Sequence, residues 1–438
     1  MSFLTLSALF LTGCAKTENI NSADEKGAPT YMGVSLSFPK ATETRATSDV
    51  NATVDEVKFA TVDVFIFNTA TGVQVANQTF TGSDFQQGTS TSGSDVWNGK
   101  QKIATTTGAK TVLAGLNLPT ALVGKLKGMN LGEFLNQVQT IDMADLKNAN
   151  GMVMFSRERK DCIFVNSASD PANNPTITVM RMVAKVTVEE QSGGAVKNGL
   201  GTLSDLQYTI FNSNTKMYLC PTSDYKDPNW AAASYAAADF QDLTAGYVNV
   251  NSFDVPIASR VAVYAAENSS EQHRGKEITR AVVRAKFLPS IVVEYMNGMD
   301  ATGGFKENNA HGVAAPRTFW TVTETNGLRA YFFNKNVAEG YHTSKTGSAI
   351  EEYTDGYCYY NLFLNPRGMY RSAADPARVF DVYRNDYYRC TITKILAPGR
   401  STPDVPYPDG PPATATDIHV DIEILFWNLV SDNYELEP

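Results

Sequence analysis

Short runs in which apolar and polar residues alternate at period two recur along this chain, and only a strand with one buried face gives that spacing a purpose. The two ends of the chain show it most clearly. Met32, Val34, Leu36 and Phe38 are apolar at every second position, and Ile418, Val420, Ile422, Ile424 and Phe426 repeat the pattern with His419, Asp421 and Glu423 between them. Further strand-like runs lie at 62–67, 110–117, 176–188, 278–287, 330–333, 357–364 and 387–395, separated by clusters of Gly, Asn, Asp and Pro. Such a chain reads as all-β and secreted. Between 118 and 146 the period changes, and Leu122, Leu126, Leu131, Phe134 and Leu135 fall where one or two amphipathic helices would bury them.

With 438 residues there is room for about two domains. The expected division is a signal peptide at 1–13, a propeptide carrying a removable strand at 14–45, an N-terminal β-sandwich with a small helical insert at 46–175, a C-terminal β-sandwich with a Pro-rich hinge at 176–412, and an extended donor strand at 413–438. The second unit is placed to start after the Pro/Asn-rich linker 170–175.

Charge narrows the function. Only 19% of residues are charged and the formal net charge is −9. Nucleic acid requires a basic stripe, and attraction to anionic lipid requires a basic patch; neither fits. No stretch reaches the roughly 20 apolar residues of a membrane helix. The apolar run 3–11, by contrast, ends in Leu11-Thr12-Gly13-Cys14, the small-residue-then-Cys arrangement of a lipoprotein signal, which makes Cys14 the expected lipidation site. No Lys or Arg precedes that run, so the expectation includes a start lying further upstream. Ala15 follows the Cys in place of an Asp, so nothing points to retention at an inner membrane.

Four cysteines remain, Cys162, Cys220, Cys358 and Cys390, which allow three pairings. Cys358 and Cys390 lie in strand-like runs that could face each other. None has C-x-x-C spacing, so no zinc site or other metal site is expected. The four histidines, His273, His311, His342 and His419, are isolated, and no glycine-flanked nucleophilic serine is present. The chain therefore reads as a non-enzyme with no catalytic residues and no cofactor. Trp97, Trp230, Trp320 and Trp427 would suit a sugar-binding face, but scattered tryptophans in β-sandwiches are more often core.

Near the end, Pro398, Pro403, Pro406, Pro408, Pro411 and Pro412 crowd into fifteen residues. Such a segment is extended and semi-rigid. It is expected to hold the terminal strand away from the body, ready to be laid into a groove of its own molecule or of another.

Several stretches, in order, resemble the type V pilus fimbrillins of Bacteroidales, in particular the major subunit of the short (minor) fimbriae. They are the lipobox at Cys14, the strand 31–39 followed by Arg45-Ala46, Arg181-Met182-Val183-Ala184-Lys185-Val186, Val263-Tyr264-Ala265-Ala266-Glu267-Asn268, Ala281-Val282-Val283-Arg284-Ala285-Lys286, Tyr359-Tyr360-Asn361-Leu362-Phe363-Leu364-Asn365-Pro366, Tyr383-Arg384-Asn385-Asp386-Tyr387-Tyr388, and the terminal 418–436. The resemblance implies two transthyretin-like β-sandwiches and a lipidated precursor at the outer membrane. It implies cleavage between Arg45 and Ala46 by an Arg-specific maturation protease, loss of the strand 31–38, and filling of the vacated groove by the C-terminal strand of another copy. The implied partners are copies of the chain in a head-to-tail surface fimbrium and accessory pilus subunits, with a role in adhesion and colonisation. The membrane is met only through the precursor's lipid anchor. Two other readings suit the same residues: a glycan-binding surface lipoprotein that stays monomeric, and an accessory tip or anchor component of the same pilus. A tip would lack a free donor strand and an anchor would lack the cleavable Arg.

Overall fold

The structure is a computed structural model, and it describes residues 27–39, 53–89, 94–140, 142–191, 193–309, 315–368, 378–412 and 418–426. Strands dominate, in two sandwich-like units and a smaller lobe.

The first unit is a nine-stranded hydrogen-bonded path wrapped round one core. Its order is Gln74–Thr81, Thr61–Asn68, Gly108–Leu116, Met154–Ser156, Thr176–Arg181, Ser35–Pro39, Ser94–Gly99 and Phe85–Gln87, with Lys160–Phe164 also pairing with Gly108–Leu116. Side chains from almost every strand meet inside, among them Leu36, Phe38, Val64, Phe65, Leu113, Phe155 and Ile177. The expected helices form beside this core as Thr120–Leu126, Leu131–Leu135 and Met143–Leu146. The second is started by Asn130, whose side chain accepts from the Glu133 N–H at 2.9 Å while Glu133 reaches back to the Asn130 N–H at 3.2 Å. That reciprocal cap satisfies two donors that a helix start leaves open. It also aims Phe134 at Phe65 and Phe67, with ring centroids 5.0 and 5.2 Å away.

The run 176–188, read from sequence as the opening strand of the second unit, is two strands in two different sheets. Thr176–Arg181 pairs with Met154–Ser156 and Ser35–Pro39 in the first unit. Val183–Glu190 starts the second unit, pairing with Asp386–Ile395 and Val263–Ala266. The handover is at Met182, whose N–H donates to Val153 O at 3.0 Å, while the neighbouring Val183 O accepts from Asn385 N at 2.8 Å. From Val179 to Glu189 every residue is buried, so no change in periodicity marks the break.

The second unit stacks two sheets. One has the order Asn251–Ser252, Val183–Glu190, Asp386–Ile395, Ile418–Phe426; the other has Val248–Asn249, Gly201–Phe211, Arg280–Pro289, Tyr357–Phe363. Val186, Val188, Tyr208, Val283, Phe287, Tyr388 and Ile392 fill the space between them. The third lobe is inserted between Arg280–Pro289 and Tyr357–Phe363. It comprises the hairpin Ile291–Tyr295/Phe305–Asn309, the strands Phe319–Thr323, Arg329–Phe332 and Ala349–Tyr353, and the helix Lys335–Ser344. It has its own small core of Val293, Val322, Phe332, Val337 and Ala338.

Two sequence-based expectations are corrected here. The proline-rich segment is bound to the second unit along its length and does not stand away from it. Tyr359 and Arg400 exchange backbone hydrogen bonds, and Gly275 N and Lys276 N donate to Gly410 O and Pro408 O. Arg329 and Arg280 donate to Pro398 O and Pro403 O. Proline lacks an N–H but keeps its carbonyl, so such a segment can be held wherever donors face it. Second, none of Cys162, Cys220, Cys358 and Cys390 forms a disulfide, so the pairing of Cys358 with Cys390 does not form.

Candidate functional site

The strand Ser35–Pro39 lies inside the nine-stranded path, with a hydrogen-bonded neighbour on each side. It runs parallel to Thr176–Arg181, with Leu36 opposite Ile177 and Ser37 opposite Thr178. It runs antiparallel to Ser94–Gly99, with Leu36 opposite Trp97 and Phe38 opposite Asp95. The preceding strand Pro29–Met32 pairs with Ile103–Thr106. Met32, Val34, Leu36 and Phe38 are all at most 1% exposed, so the period-two row seen in the sequence is a row of core side chains. At Gly33 the chain passes close to Asn174, and a Cβ there would lie 2.5 Å from Asn174 Oδ1, the end of an exposed side chain.

The slot is not symmetrical. Phe38 stacks on Phe59 at 6.0 Å, and Phe59 is met edge-on by Phe85 at 6.0 Å and Trp97 at 5.5 Å. Phe38 thus meets an aromatic cluster centred on Phe59 that extends to Phe85 opposite Gly99, while Val34 lies tight against Gly99.

Phe59 belongs to a segment anchored at the junction of the two units. The Glu56 carboxylate accepts from Thr53 N–H at 2.6 Å and from the Tyr264 hydroxyl at 2.7 Å, and it pairs with the Lys185 ammonium at 3.0 Å. The Glu56 carbonyl accepts from Arg181 Nε at 3.0 Å. Burial alone would raise the Glu56 pKa, but Lys185, Tyr264, Thr53 and Arg181 outweigh it and hold the carboxyl below its usual range. A second buried pair, Arg384 on Glu267 at 2.8 and 3.0 Å, stands close by in sequence to Asn385, which accepts from Arg181 N. Sequence reasoning did not single out Glu56 as a site. The available signal was its partners, Arg181 and Lys185, two cations set in an otherwise apolar strand run.

At the other end, Ile418–Phe426 is the edge strand of its sheet. It lies antiparallel on Asp386–Ile395 and, among the described residues, pairs with no other strand. Ile418 is buried, Val420 and Ile422 are half-buried against the second core, and His419 and Asp421 are exposed. The backbone pairing continues through Ile424, opposite Tyr388, to Phe426, opposite Asp386. Cys14, Arg45, Ala46 and Trp427 lie outside the described residues. The structure thus places the strand expected to leave and the strand expected to be donated in different units, one interior and one at an edge.

Two family models match this chain. Residues 31–199 match the family described as major fimbrial subunit protein (FimA), and residues 351–433 match the family described as major fimbrial subunit protein type IV, fimbrillin, C-terminal. The two matches contain both strands of the candidate site. The chain belongs to the type V fimbrillins of Bacteroidales.

This fimbrillin is a structural subunit of a cell-surface fimbrium. Its fold is shared with a solved fimbrillin from Porphyromonas gingivalis W83, at 14% identity and a TM-score of 0.50, over 93% of this chain and 99% of that one. A candidate cell adhesion protein from Parabacteroides distasonis aligns at 13% identity and a TM-score of 0.47, covering 91% of this chain and all of that one (100%). The C-terminally truncated tip fimbrial protein Mfa3 of Porphyromonas gingivalis aligns at 14% identity and a TM-score of 0.39, with 91% of this chain and 100% of that one covered. None of the curated proteins compared with the fimbrillin matches it. Among its described residues no group of three or more His, Cys, Asp or Glu is placed to hold a metal ion, and no helix is long and apolar enough to cross a membrane.

Proposed function

We propose that this fimbrillin is a shaft subunit that polymerises by strand exchange. It is exported as a lipoprotein precursor anchored through Cys14 at the outer membrane. An Arg-specific maturation protease cuts between Arg45 and Ala46, the strand before the cut departs, and the C-terminal strand of another copy takes its place. Repeated head to tail, this exchange does not close on itself and yields a filament. Accessory subunits would start and end it, and the finished fimbrium would serve adhesion and colonisation.

The observation that carries the reading is the position of Ser35–Pro39. An interior strand contributing Leu36 and Phe38 to the core is joined covalently to the rest of its unit through segment 40–52, which contains Arg45. Once cut free, it would leave two unpaired strand edges and an apolar trough, which only another strand can cover in full. The edge position of Ile418–Phe426 supports the donor role, because an edge strand leaves without opening the sheet behind it.

The test is to incubate the purified precursor with a trypsin-like protease under native conditions. Intact mass and native-gel mobility are followed alongside a variant truncated after Pro412. Cleavage after Arg45 followed by a ladder of multimers, absent from the truncated variant, is expected. A chain left whole at Arg45, or cut there yet monomeric, refutes the shaft subunit and favours a glycan-binding surface lipoprotein.

A further inference from the structure

We infer that the terminal strand of one copy enters the slot of the next with the same polarity as the strand it replaces, in the register that puts Phe426 where Phe38 lay. This rests on the strand-exchange reading above and adds to it the direction and alignment of the joint.

Backbone hydrogen bonding does not choose between the two directions, since a strand can pair parallel or antiparallel with either neighbour. The side chains do choose. The departing row reads Met32, Val34, Leu36, Phe38, and the terminal row reads Val420, Ile422, Ile424, Phe426. In each, three aliphatic residues precede a single phenylalanine, and that ring comes last in the chain direction. The place Phe38 holds suits a ring: Phe38 stacks on Phe59 at 6.0 Å, the ring that Phe85 and Trp97 meet edge-on.

Entered in the same direction, Phe426 takes the ring's place against Phe59, and the aliphatic residues Ile424 and Ile422 take the places of Leu36 and Val34. Entered in reverse, Val420 takes the place of Phe38 and leaves space unfilled against Phe59, while Phe426 is forced to the place of Met32. Voids of that kind are costly in a core.

The alternate positions are consistent with the same register. Glu423 would stand at Ser35, whose hydroxyl lies 2.7 Å from Asn98 Oδ1 and 3.4 Å from Asn174 Nδ2. Side-chain amides that turn at little cost can offer their N–H groups to a carboxylate. Asp421 would stand at Gly33, where it meets the side chain of exposed Asn174 and not backbone. Leu425 would stand at Ser37, beside Thr178 on one side and Val96 on the other.

That last adjacency gives the test. Two full-length precursors are prepared, both with Cys162→Ser; one carries Thr178→Cys and the other Leu425→Cys. They are mixed, matured with protease and oxidised mildly. Adjacent strands bring Cα atoms within disulfide range. The expected result is a cross-linked pair of the two chains within the multimers, in roughly tenfold excess over the same experiment with Asp421→Cys in place of Leu425→Cys. Reverse entry makes Asp421→Cys the efficient partner, and that outcome overturns the proposed direction while strand exchange stands. Multimers that cross-link through neither cysteine overturn the register. Mixtures that never form multimers, with the parent chain failing alongside, overturn the shaft reading and this inference together.

Discussion

Glutamine at position 56 would show how much of the junction between the two units rests on one carboxylate. Glu56 and Lys185 side chains are 1% and 0% exposed and lie 3.0 Å apart, with Arg181 fully buried beside them. Glu56→Gln keeps the shape and removes the charge, so Lys185 stays buried without the anion that faces it. Breaking one side of a buried pair costs about 3–5 kcal/mol. For a unit of this size that lowers the melting temperature by roughly 6–20 °C. Scanning calorimetry of the parent, of Glu56→Gln, of Lys185→Met and of the double variant is the assay. The two single losses should not add, because removing both charges leaves neither unpaired, and the double variant should recover a large part of the sum. The pH dependence has a fixed sign. A carboxyl held below its usual range stabilises fully above that range, and the contribution fades as pH falls through the folded pKa. The gap between parent and Glu56→Gln should therefore be constant above about pH 5 and close in acid. A single-variant loss below about 1 kcal/mol, or losses that add, would refute the reasoning.

Three further outcomes are expected. Burial, with Glu267 nearby, pushes Asp227 up to about 7 against the donors Ser269 and Asn229. The folded chain then holds a proton that the unfolded chain releases, so stability should decline as pH rises from the carboxylate range towards 7, and Asp227→Asn should flatten that decline in melting curves across the range. Burial likewise pushes the Cys162 thiol up to about 11 and those of Cys220 and Cys390 to about 12. The mature chain should therefore react slowly with a thiol reagent at neutral pH and release four thiols on unfolding without reductant; a count of two would refute the free-thiol assignment. Gly151 has φ +117°, and a Cβ there would lie 2.3 Å from Lys58 O, so Gly151→Ala should cost roughly 1–3 kcal/mol in urea unfolding.

The strands of this fimbrillin were legible where burial is one-sided or the apolar run is short and bounded. The row Met32 to Phe38 announced a core face, though the structure divides it into Pro29–Met32 and Ser35–Pro39 in different sheets, and the Leu and Phe spacing near 131–135 announced a helix, because both signals are periodic and local. The run 176–188 was not legible in the same way. Its two halves are equally apolar, and the break at Met182 depends on which strands stand beside each half. The lobe between 290 and 353 escaped notice because its core is drawn from short runs that each resemble ordinary strand. The proline-rich segment was read as free, since sequence shows the missing N–H groups and not the arginines and backbone donors that reach its carbonyls.

For the candidate site, the sequence by itself determined which residues alternate, and so which two segments can lie in a core as strands. It also determined the order of side chains along each row, because that order is written in the chain. Only the tertiary structure decided that 35–39 is interior and 418–426 is at an edge, that Phe38 stacks on Phe59, and that Glu56 meets Lys185. Each of these depends on residues tens to hundreds of positions apart, and alternation along one strand carries no information about which strand will be its neighbour.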